Sequence, residues 1–186
     1  GHGVAAGFAP ARGDLKLNAV ILRGRNDDQI LPLARLARQW GTELRLIEAM
    51  DVGTRNGWRL ENVVPASAIV ALIGDQWPLA ALGRGAGATA MRWRYLDGGG
   101  TIAVVASITQ PFCGDCNRLR VTAEGMAYTC LFACQGTDLR PCLEPTSDPQ
   151  ALREAIGTLW RRRSDRYSEE RQGPHAGAKE MAYLGG

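Results

Sequence analysis

Three cysteines constrain this chain more than any other feature, because their spacing, Cys113-x2-Cys116-x13-Cys130, is typical of a metal site. A Cys-x-x-Cys turn places two thiolates on one metal centre, and a hairpin that follows it can return the third. Three thiolates can hold a four-iron cluster and leave one iron without a protein ligand, which is the open position that substrate binding needs. The pattern therefore predicts an iron–sulfur site between Gln110 and Leu131.

A structural zinc site is the main alternative. Zinc in such sites takes four ligands, and Cys134, Cys142 or His175 can supply the fourth. A redox Cys-x-x-Cys normally opens a helix after a strand, so the pattern disfavours it here. The five cysteines, an odd number, all lie between residues 113 and 142, which predicts a local metal site in a reducing compartment rather than a disulfide framework. We interpret Cys134 and Cys142 as small, partly buried side chains.

The beginning of the chain has the pattern of a βαβ unit. The unit contains a strand over 15–22, a helix between an Asn26 N-cap and a Gly41 stop, and a second strand over 43–49. Two strands joined by a helix are expected to run parallel. Lys16 and Asn18 share one face of the first strand, which predicts that this face meets something polar.

The rest of the chain mixes short strands and helices. The predicted elements are a short helix over 65–73, a hairpin of 91–96 with 101–107, a second hairpin of 119–122 with 126–130, and helices over 137–143 and 148–163. The polar loop 51–59 follows the second strand at its C-terminal end, where the active sites of βα architectures lie. Arg161, Arg162 and Arg163 end the last helix, where solvated cations suit the negative end of the helix dipole.

Composition indicates one globular domain or a large piece of one, with 45% hydrophobic and 22% charged residues. No apolar run approaches the roughly 18 residues of a membrane span, and no cleavable leader is recognisable, so we expect a soluble, cytoplasmic protein with no membrane partner. The net charge of +3 is too small to predict nucleic-acid binding. The chain begins with Gly1 rather than Met, which indicates that residues upstream were removed or left out.

Two segments around the cysteines carry a more specific signal. Residues 111–120 read Pro-Phe-Cys-Gly-Asp-Cys-Asn-Arg-Leu-Arg, and residues 128–133 read Tyr-Thr-Cys-Leu-Phe-Ala. Together they resemble the radical-SAM GTP 3′,8-cyclase family of molybdenum cofactor biosynthesis. The resemblance continues in order through most of the chain, at residues 15–20, 26–28, 44–50, 138–140 and Gly185-Gly186. A Cys-x-x-Cys alone is a weak signal, whereas this ordered series is specific.

The resemblance implies a fold and an activity. The fold class is α/β, with residues 1–82 as the C-terminal portion of an incomplete radical-SAM TIM-like barrel. Residues 83–186 would form an α+β segment that carries a [4Fe-4S] site and ends in the Gly-Gly tail. The implied activity is the conversion of GTP to (8S)-3′,8-cyclo-7,8-dihydroguanosine 5′-triphosphate by a lyase.

The resemblance also implies roles for individual residues. The implied ligands of the [4Fe-4S] cluster are Cys113, Cys116 and Cys130. The implied GTP contacts are Lys16, Arg45, Arg118, Leu119 and Arg120. Met50 would contact S-adenosylmethionine. The residues implied to act at the reacting centre are Arg118, Arg120, Gly185 and Gly186.

One departure from the family concerns activity. The Cys-x3-Cys-x2-Cys motif that holds the radical-generating [4Fe-4S] cluster is absent from this sequence. We therefore expect the substrate-side half of a cyclase, as a fragment, a split subunit or a truncated gene product. Alone it is expected to be inactive, since S-adenosylmethionine cleavage and the second cluster would come from an N-terminal half in cis or in trans. The chain is also a possible homodimer. The alternatives are a non-catalytic iron–sulfur or nucleotide-binding module and a zinc-stapled structural domain.

Overall fold

The computed structural model describes residues 15–53, 55, 57–171, 179–180 and 183. The chain divides into two compact units. Unit 1 draws on Gly1–Ala49 and Leu60–Pro111, and unit 2 draws on Met50–Arg59 and Phe112–Gly186. The predicted division at residue 82, which separates a partial barrel from the cysteine-bearing segment, stays a prediction.

Unit 1 is a mixed five-stranded sheet with two helices. Its elements are β1 (Lys16–Ile21), α1 (Ile30–Trp40), β2 (Glu43–Glu48), α2 (Ala66–Gln76), β3 (Leu79–Gly83), β4 (Met91–Tyr95) and β5 (Thr101–Val105). The strand order is β1-β2-β5-β4-β3, in which β1, β2 and β5 run parallel while β4 and β3 are antiparallel to their neighbours. The predicted α/β class is confirmed, and so is the parallel βαβ unit, whereas strand β3 is not among the predicted elements.

Both helices of unit 1 pack on one face of the sheet. Leu44, Leu46, Ile102 and Val104 are fully buried there, and they form one hydrophobic core with the apolar sides of α1 and α2. Lys16 and Asn18 lie on the opposite face and are exposed, as the alternation of β1 predicted. Side chains on a strand alternate between faces, so the odd-numbered residues of β1 pack inward, while the even-numbered ones, Val20 included, point away from the helices.

Asn26 has a different role from the predicted helix cap. Its amide accepts a hydrogen bond from the Leu22 N–H at 2.8 Å and donates one to the Val20 carbonyl at 2.9 Å. These bonds close the turn after β1, and a 3-10 turn (Asp27–Gln29) then leads into α1. The predicted stop at the other end is confirmed, because Gly41 adopts φ 64° and its N–H bonds to carbonyls of the last helical turn.

Unit 2 contains short strands and helices. Its elements are β6 (Arg120–Val121), β7 (Met126–Tyr128), β8 (Thr137–Asp138), α3 (Pro149–Arg161) and α4 (Tyr167–Glu170). The predicted hairpin is confirmed, because β6 and β7 pair antiparallel around a turn that ends at Gly125, with φ 76°. Helix α3 begins where the Asp148 carboxylate accepts the Gln150 N–H. No helix in the described part of the chain combines the length and apolar character that a membrane span requires.

The predicted helix over 137–143 is wrong. Thr137 and Asp138 instead pair with β7 as a third strand, and only a 3-10 turn (Arg140–Cys142) follows. The Leu139 N–H donates to the Gly125 carbonyl at 2.9 Å, so this N–H bonds to the hairpin turn rather than to a carbonyl within a helix. Pro141 lacks an N–H and cannot extend a helix hydrogen-bond ladder.

Candidate iron–sulfur site

Two separate segments of unit 2 carry the three predicted cysteine ligands. Cys113 opens a 3-10 turn (Cys113–Asp115), and the Cys116 N–H closes it on the Cys113 carbonyl at 3.2 Å. Cys130 lies two residues beyond β7, in a turn that the Ala133 N–H closes on the Cys130 carbonyl at 3.3 Å. All three side chains are half-buried free thiols. The hairpin thus returns the third cysteine within the same unit.

The Cys116 thiol has a cationic partner. Nε–H of Arg118 donates to its sulfur at 3.2 Å, and the Arg118 guanidinium lies 5.3 Å from the centre of the Phe112 ring. Burial raises the pKa of the Cys116 thiol, but the Arg118 hydrogen bonds and the charges of Arg118 and Arg163 outweigh burial. The net pKa lies below the usual value, which favours the thiolate that binds metal.

The Cys130 thiol has a more apolar environment. Burial raises its pKa, and the negative charges of Asp165 and Cys113 raise it further. A hydrogen bond from the Phe132 N–H to the Cys130 sulfur, at 3.4 Å, acts in the opposite direction. A metal cation beside this thiol would favour its ionised form, so metal binding there would be coupled to deprotonation of Cys130.

Arg120 brings a second guanidinium to the thiols. It lies in β6 and is half-buried. Burial lowers its pKa first, and the neighbouring Arg118 charge lowers it further, while the Cys116 and Cys130 sulfurs raise it. Two like charges held beside each other favour a polyanion. Leu119, between them in the chain, is half-buried.

The donor set fits an iron–sulfur cluster. Within the described ranges, no three His, Cys, Asp or Glu side chains converge as ligands of one metal ion. In a four-iron cluster each thiolate binds a different iron, so its ligands need not converge on one point. The three thiols are not in disulfides, and two of their sulfurs accept N–H hydrogen bonds, which are contacts that stabilise and tune cluster sulfur.

Arg163 contacts the cysteine turn, in contrast to the solvated helix end that the sequence indicated. Its Nη1 donates to the Cys116 carbonyl at 2.6 Å and its Nη2 to the Cys113 carbonyl at 3.2 Å. Its side chain is only 12% exposed, whereas Arg161 and Arg162 are exposed. Helix α3 ends at Arg161, so Arg163 no longer follows the helical spacing and turns inward. No local pattern distinguishes it from the other two arginines.

Unit 2 also contains a buried ion pair that the sequence does not predict. Both Asp51 carboxylate oxygens accept hydrogen bonds from Arg171, at 2.9 and 2.8 Å, and one also accepts from the Tyr167 hydroxyl at 2.8 Å. The Tyr167 ring stacks on Phe132 with 4.2 Å between ring centres. Asp51 lies in the predicted polar loop, no element is predicted at Arg171, and 120 positions separate the two residues.

Met50 packs against the apolar neighbours of Cys130. Val52, Tyr128, Leu131 and Phe132 form a small buried cluster, and Met50 and Cys130 are among the half-buried side chains around it. The predicted S-adenosylmethionine contact therefore belongs to the same unit as the predicted cluster ligands.

Lys16 and Arg45 lie in unit 1, on the sheet face opposite helices α1 and α2. Arg45 is paired with Asn18 across the two parallel strands, and Lys16 with Glu43. The Glu43 carboxylate forms ion pairs with Arg45 at 3.0 Å and with Arg92 at 2.7 Å. Burial raises the Glu43 pKa, but the hydrogen bonds and charges of Arg45 and Arg92 outweigh it and leave the pKa below its usual value.

The remaining predicted residues are in the tail. Gly185 and Gly186 lie outside the described residues. Their predicted role in the reacting centre stays a prediction.

Comparison with known proteins identifies similar sequences. The family described as Molybdenum Cofactor Synthesis C matches residues 42–169. The chain is 64% identical over 185 residues to a GTP 3′,8-cyclase of Synechococcus sp. (strain CC9605), covering 98% of this chain and 52% of that protein. It is 51% identical to the GTP 3′,8-cyclase of Acidothermus cellulolyticus, covering 96% and 49%, and 44% identical to that of Xanthomonas campestris pv. campestris (strain B100), covering 99% and 55%. The chain spans about half the length of these relatives.

Proposed function

We propose, because this chain belongs to the Molybdenum Cofactor Synthesis C family, that it is the C-terminal part of a GTP 3′,8-cyclase. The proposed net reaction converts GTP to (8S)-3′,8-cyclo-7,8-dihydroguanosine 5′-triphosphate. The observation that carries the proposal is the grouping of three free thiols and two guanidinium groups in unit 2. Thiolates suit an iron–sulfur cluster, and paired guanidinium groups suit the phosphates of a nucleotide.

The cysteines have the first role in this proposal. Cys113, Cys116 and Cys130 would hold a [4Fe-4S] cluster, which supplies an iron without a protein ligand that can coordinate GTP. The Arg118 Nε–H bond to the Cys116 sulfur, at 3.2 Å, stabilises the ionised thiolate and orients the guanidinium at the same time. The other N–H groups of that guanidinium can bind phosphate oxygens.

The basic side chains would hold the substrate. Arg118 and Arg120 would bind the triphosphate, with Leu119 lining the same site, and Lys16 and Arg45 would add contacts to GTP. The half-buried position of Arg120 supports this role, because an anion restores the interactions that a guanidinium loses on leaving water. Glu43 restrains Arg45 through a 3.0 Å ion pair, which limits the conformations that this side chain must give up on binding.

The other half of the reaction would come from an N-terminal partner. Met50 would contact S-adenosylmethionine. Its packing against the same small apolar cluster that Cys130 borders supports this role. A second [4Fe-4S] cluster, which cleaves S-adenosylmethionine, would be held by the N-terminal half in cis or in trans. Gly185 and Gly186 would act at the reacting centre.

Anaerobic reconstitution of the 186-residue chain with iron and sulfide tests the cluster. We expect about four irons and about four sulfides per chain, because three thiolates at this spacing hold a four-iron cluster. The Cys130→Ser variant should lose most of the iron, while the matched Cys134→Ser variant should keep it, since Cys134 is exposed and is not a proposed ligand. Stoichiometric zinc without sulfide would instead establish a structural zinc site.

The substrate is tested on the reconstituted chain. Binding of GTP at an iron without a protein ligand changes the electronic structure of the reduced cluster, so GTP should shift its electron paramagnetic resonance spectrum. A spectrum that stays unchanged at saturating GTP, in a chain with full cluster content, would favour an iron–sulfur module without the cyclase substrate.

A further inference from the structure

We infer that residues 163–169, which we call the brace, position the cysteine ligands before any metal binds, an inference that rests on the proposed cluster. The brace begins two residues after α3 ends and extends into α4. Three of its side chains, Arg163, Asp165 and Glu169, form hydrogen bonds to the two segments that carry the cysteines. They act through the backbone and a neighbouring side chain, so they are positioning residues rather than ligands.

Arg163 fixes the Cys-x-x-Cys turn. One guanidinium nitrogen donates to the Cys116 carbonyl at 2.6 Å and another to the Cys113 carbonyl at 3.2 Å, so one planar group spans both ends of the turn. The third nitrogen, Nε, is buried without a hydrogen-bond partner among the described residues, and it lies 3.6 Å from Oδ2 of Asp165. Burying an incompletely satisfied guanidinium is unfavourable, and the two carbonyl contacts offset that cost.

Asp165 fixes the other cysteine segment. Its Oδ2 accepts a hydrogen bond from the Thr129 hydroxyl at 2.5 Å, and Thr129 immediately precedes Cys130. Arg163 and Asp165 are two residues apart, so the brace holds the backbone of Cys113 and Cys116 on one side and the neighbour of Cys130 on the other. One short stretch of chain therefore contacts both cysteine segments, in addition to the β6–β7 pairing that already joins them.

Glu169 adds a third contact. Its Oε1 accepts the Gly114 N–H at 3.2 Å, in the middle of the Cys-x-x-Cys turn, while its Oε2 pairs with Arg166. The brace thus donates hydrogen bonds to two carbonyls of the Cys-x-x-Cys turn and accepts one from an N–H of the same turn. Ligands that are held in place before metal arrives lose less conformational freedom on binding, and their metal dissociates more slowly.

Two pairs of variants test the brace in the reconstituted chain. Arg163→Gln removes the bidentate contact, and Arg162→Gln makes the same change at the exposed neighbouring position. Thr129→Val removes the hydroxyl while keeping the side-chain shape, and Thr129→Ser keeps the hydroxyl. Iron release to a chelator, measured at a temperature where circular dichroism shows each variant folded, should be about tenfold faster in Arg163→Gln and Thr129→Val. Release rates equal to those of their matched controls would overturn the inference.

A second measurement separates a positioning role from general stability. In the iron-free chain, alkylation of Cys113 should accelerate several-fold in Arg163→Gln, while alkylation of Cys142 stays at the wild-type rate. Cys116 does not serve as a probe, because loss of the Arg163 charge also raises the pKa of its thiol. Cys142 is half-buried in the same unit, so equal acceleration of Cys113 and Cys142 would indicate unfolding and contradict the inference. If wild-type chain assembles no cluster, the proposed function fails, and the alkylation rates still test whether the brace holds the cysteine turn.

Discussion

Replacement of Glu48 by glutamine, which keeps the size of the side chain, should destabilise unit 1. Glu48 ends β2 with its carboxylate fully buried. Its Oε1 accepts the Ala66 N–H at 2.8 Å and the Thr109 hydroxyl, and its Oε2 accepts the N–H groups of Ile108 and Thr109 at 2.8 and 2.9 Å. One carboxylate therefore binds the first residue of α2 and the loop after β5.

A glutamine at position 48 can place its amide oxygen where either carboxylate oxygen was. The expected loss in free energy of unfolding follows from the more favourable of these two orientations. If the amide oxygen takes the place of Oε2, the NH2 group faces the Ala66 N–H, which loses its acceptor, whereas the Thr109 hydroxyl can rotate to accept. The orphaned N–H costs about 1.5–3 kcal/mol, and the two remaining bonds weaken by about 1 kcal/mol together because the acceptor becomes neutral. Removal of a buried charge offsets part of this loss. We expect a net loss of about 2–3 kcal/mol, or roughly 5–10 °C in Tm.

Urea unfolding at pH 7, followed by circular dichroism, measures this loss. Glu144→Gln is the matched control, since Glu144 is exposed and the chemical change is identical. Hydrogen exchange should quicken at the first turn of α2 and in residues 106–110, where the hydrogen bonds end. A Glu48→Gln loss within about 0.5 kcal/mol of the control would refute the reasoning, because surface substitutions already vary by that amount.

Three further predictions concern unit 2. Arg171→Ala leaves the buried Asp51 carboxylate without its ionic partner and should cost about 3–5 kcal/mol in urea unfolding, and a loss below 1 kcal/mol would contradict a buried pair. Burial, and then Asp51, raise the pKa of Tyr167 from 10.0 to about 12, so the folded chain holds the phenolic proton more tightly than the unfolded chain does. That stabilisation is complete below pH 10 and is lost as pH rises towards 12, and the Tyr167→Phe variant should show a shallower decline in urea midpoint over this range. Arg118→Ala and Arg120→Ala should weaken GTP binding more than GMP binding in calorimetric titration, whereas equal losses would place these arginines away from the β- and γ-phosphates.

Local patterns were sufficient wherever the determining interactions are close in sequence. The alternation of β1 predicted an apolar face against the helices and a polar face with Lys16 and Asn18, because successive strand residues point to opposite sides. Gly41 predicted the end of α1, because a left-handed residue there costs glycine little. Local pattern also misled at residues 137–143, where pairing with β7, ten to twelve positions away, overrides helical spacing.

The cysteine spacing and the motif around it were readable from the sequence alone, since a Cys-x-x-Cys turn and a hairpin are short-range structures. The long-range side-chain contacts of unit 2 were not. Arg163 reaches carbonyls 47 and 50 positions earlier, and Arg171 reaches Asp51 across 120 positions. Contacts of that range depend on where the chain exits a helix and which side chain then turns inward. Only the tertiary structure decides that, because three consecutive arginines are chemically identical until one of them is buried.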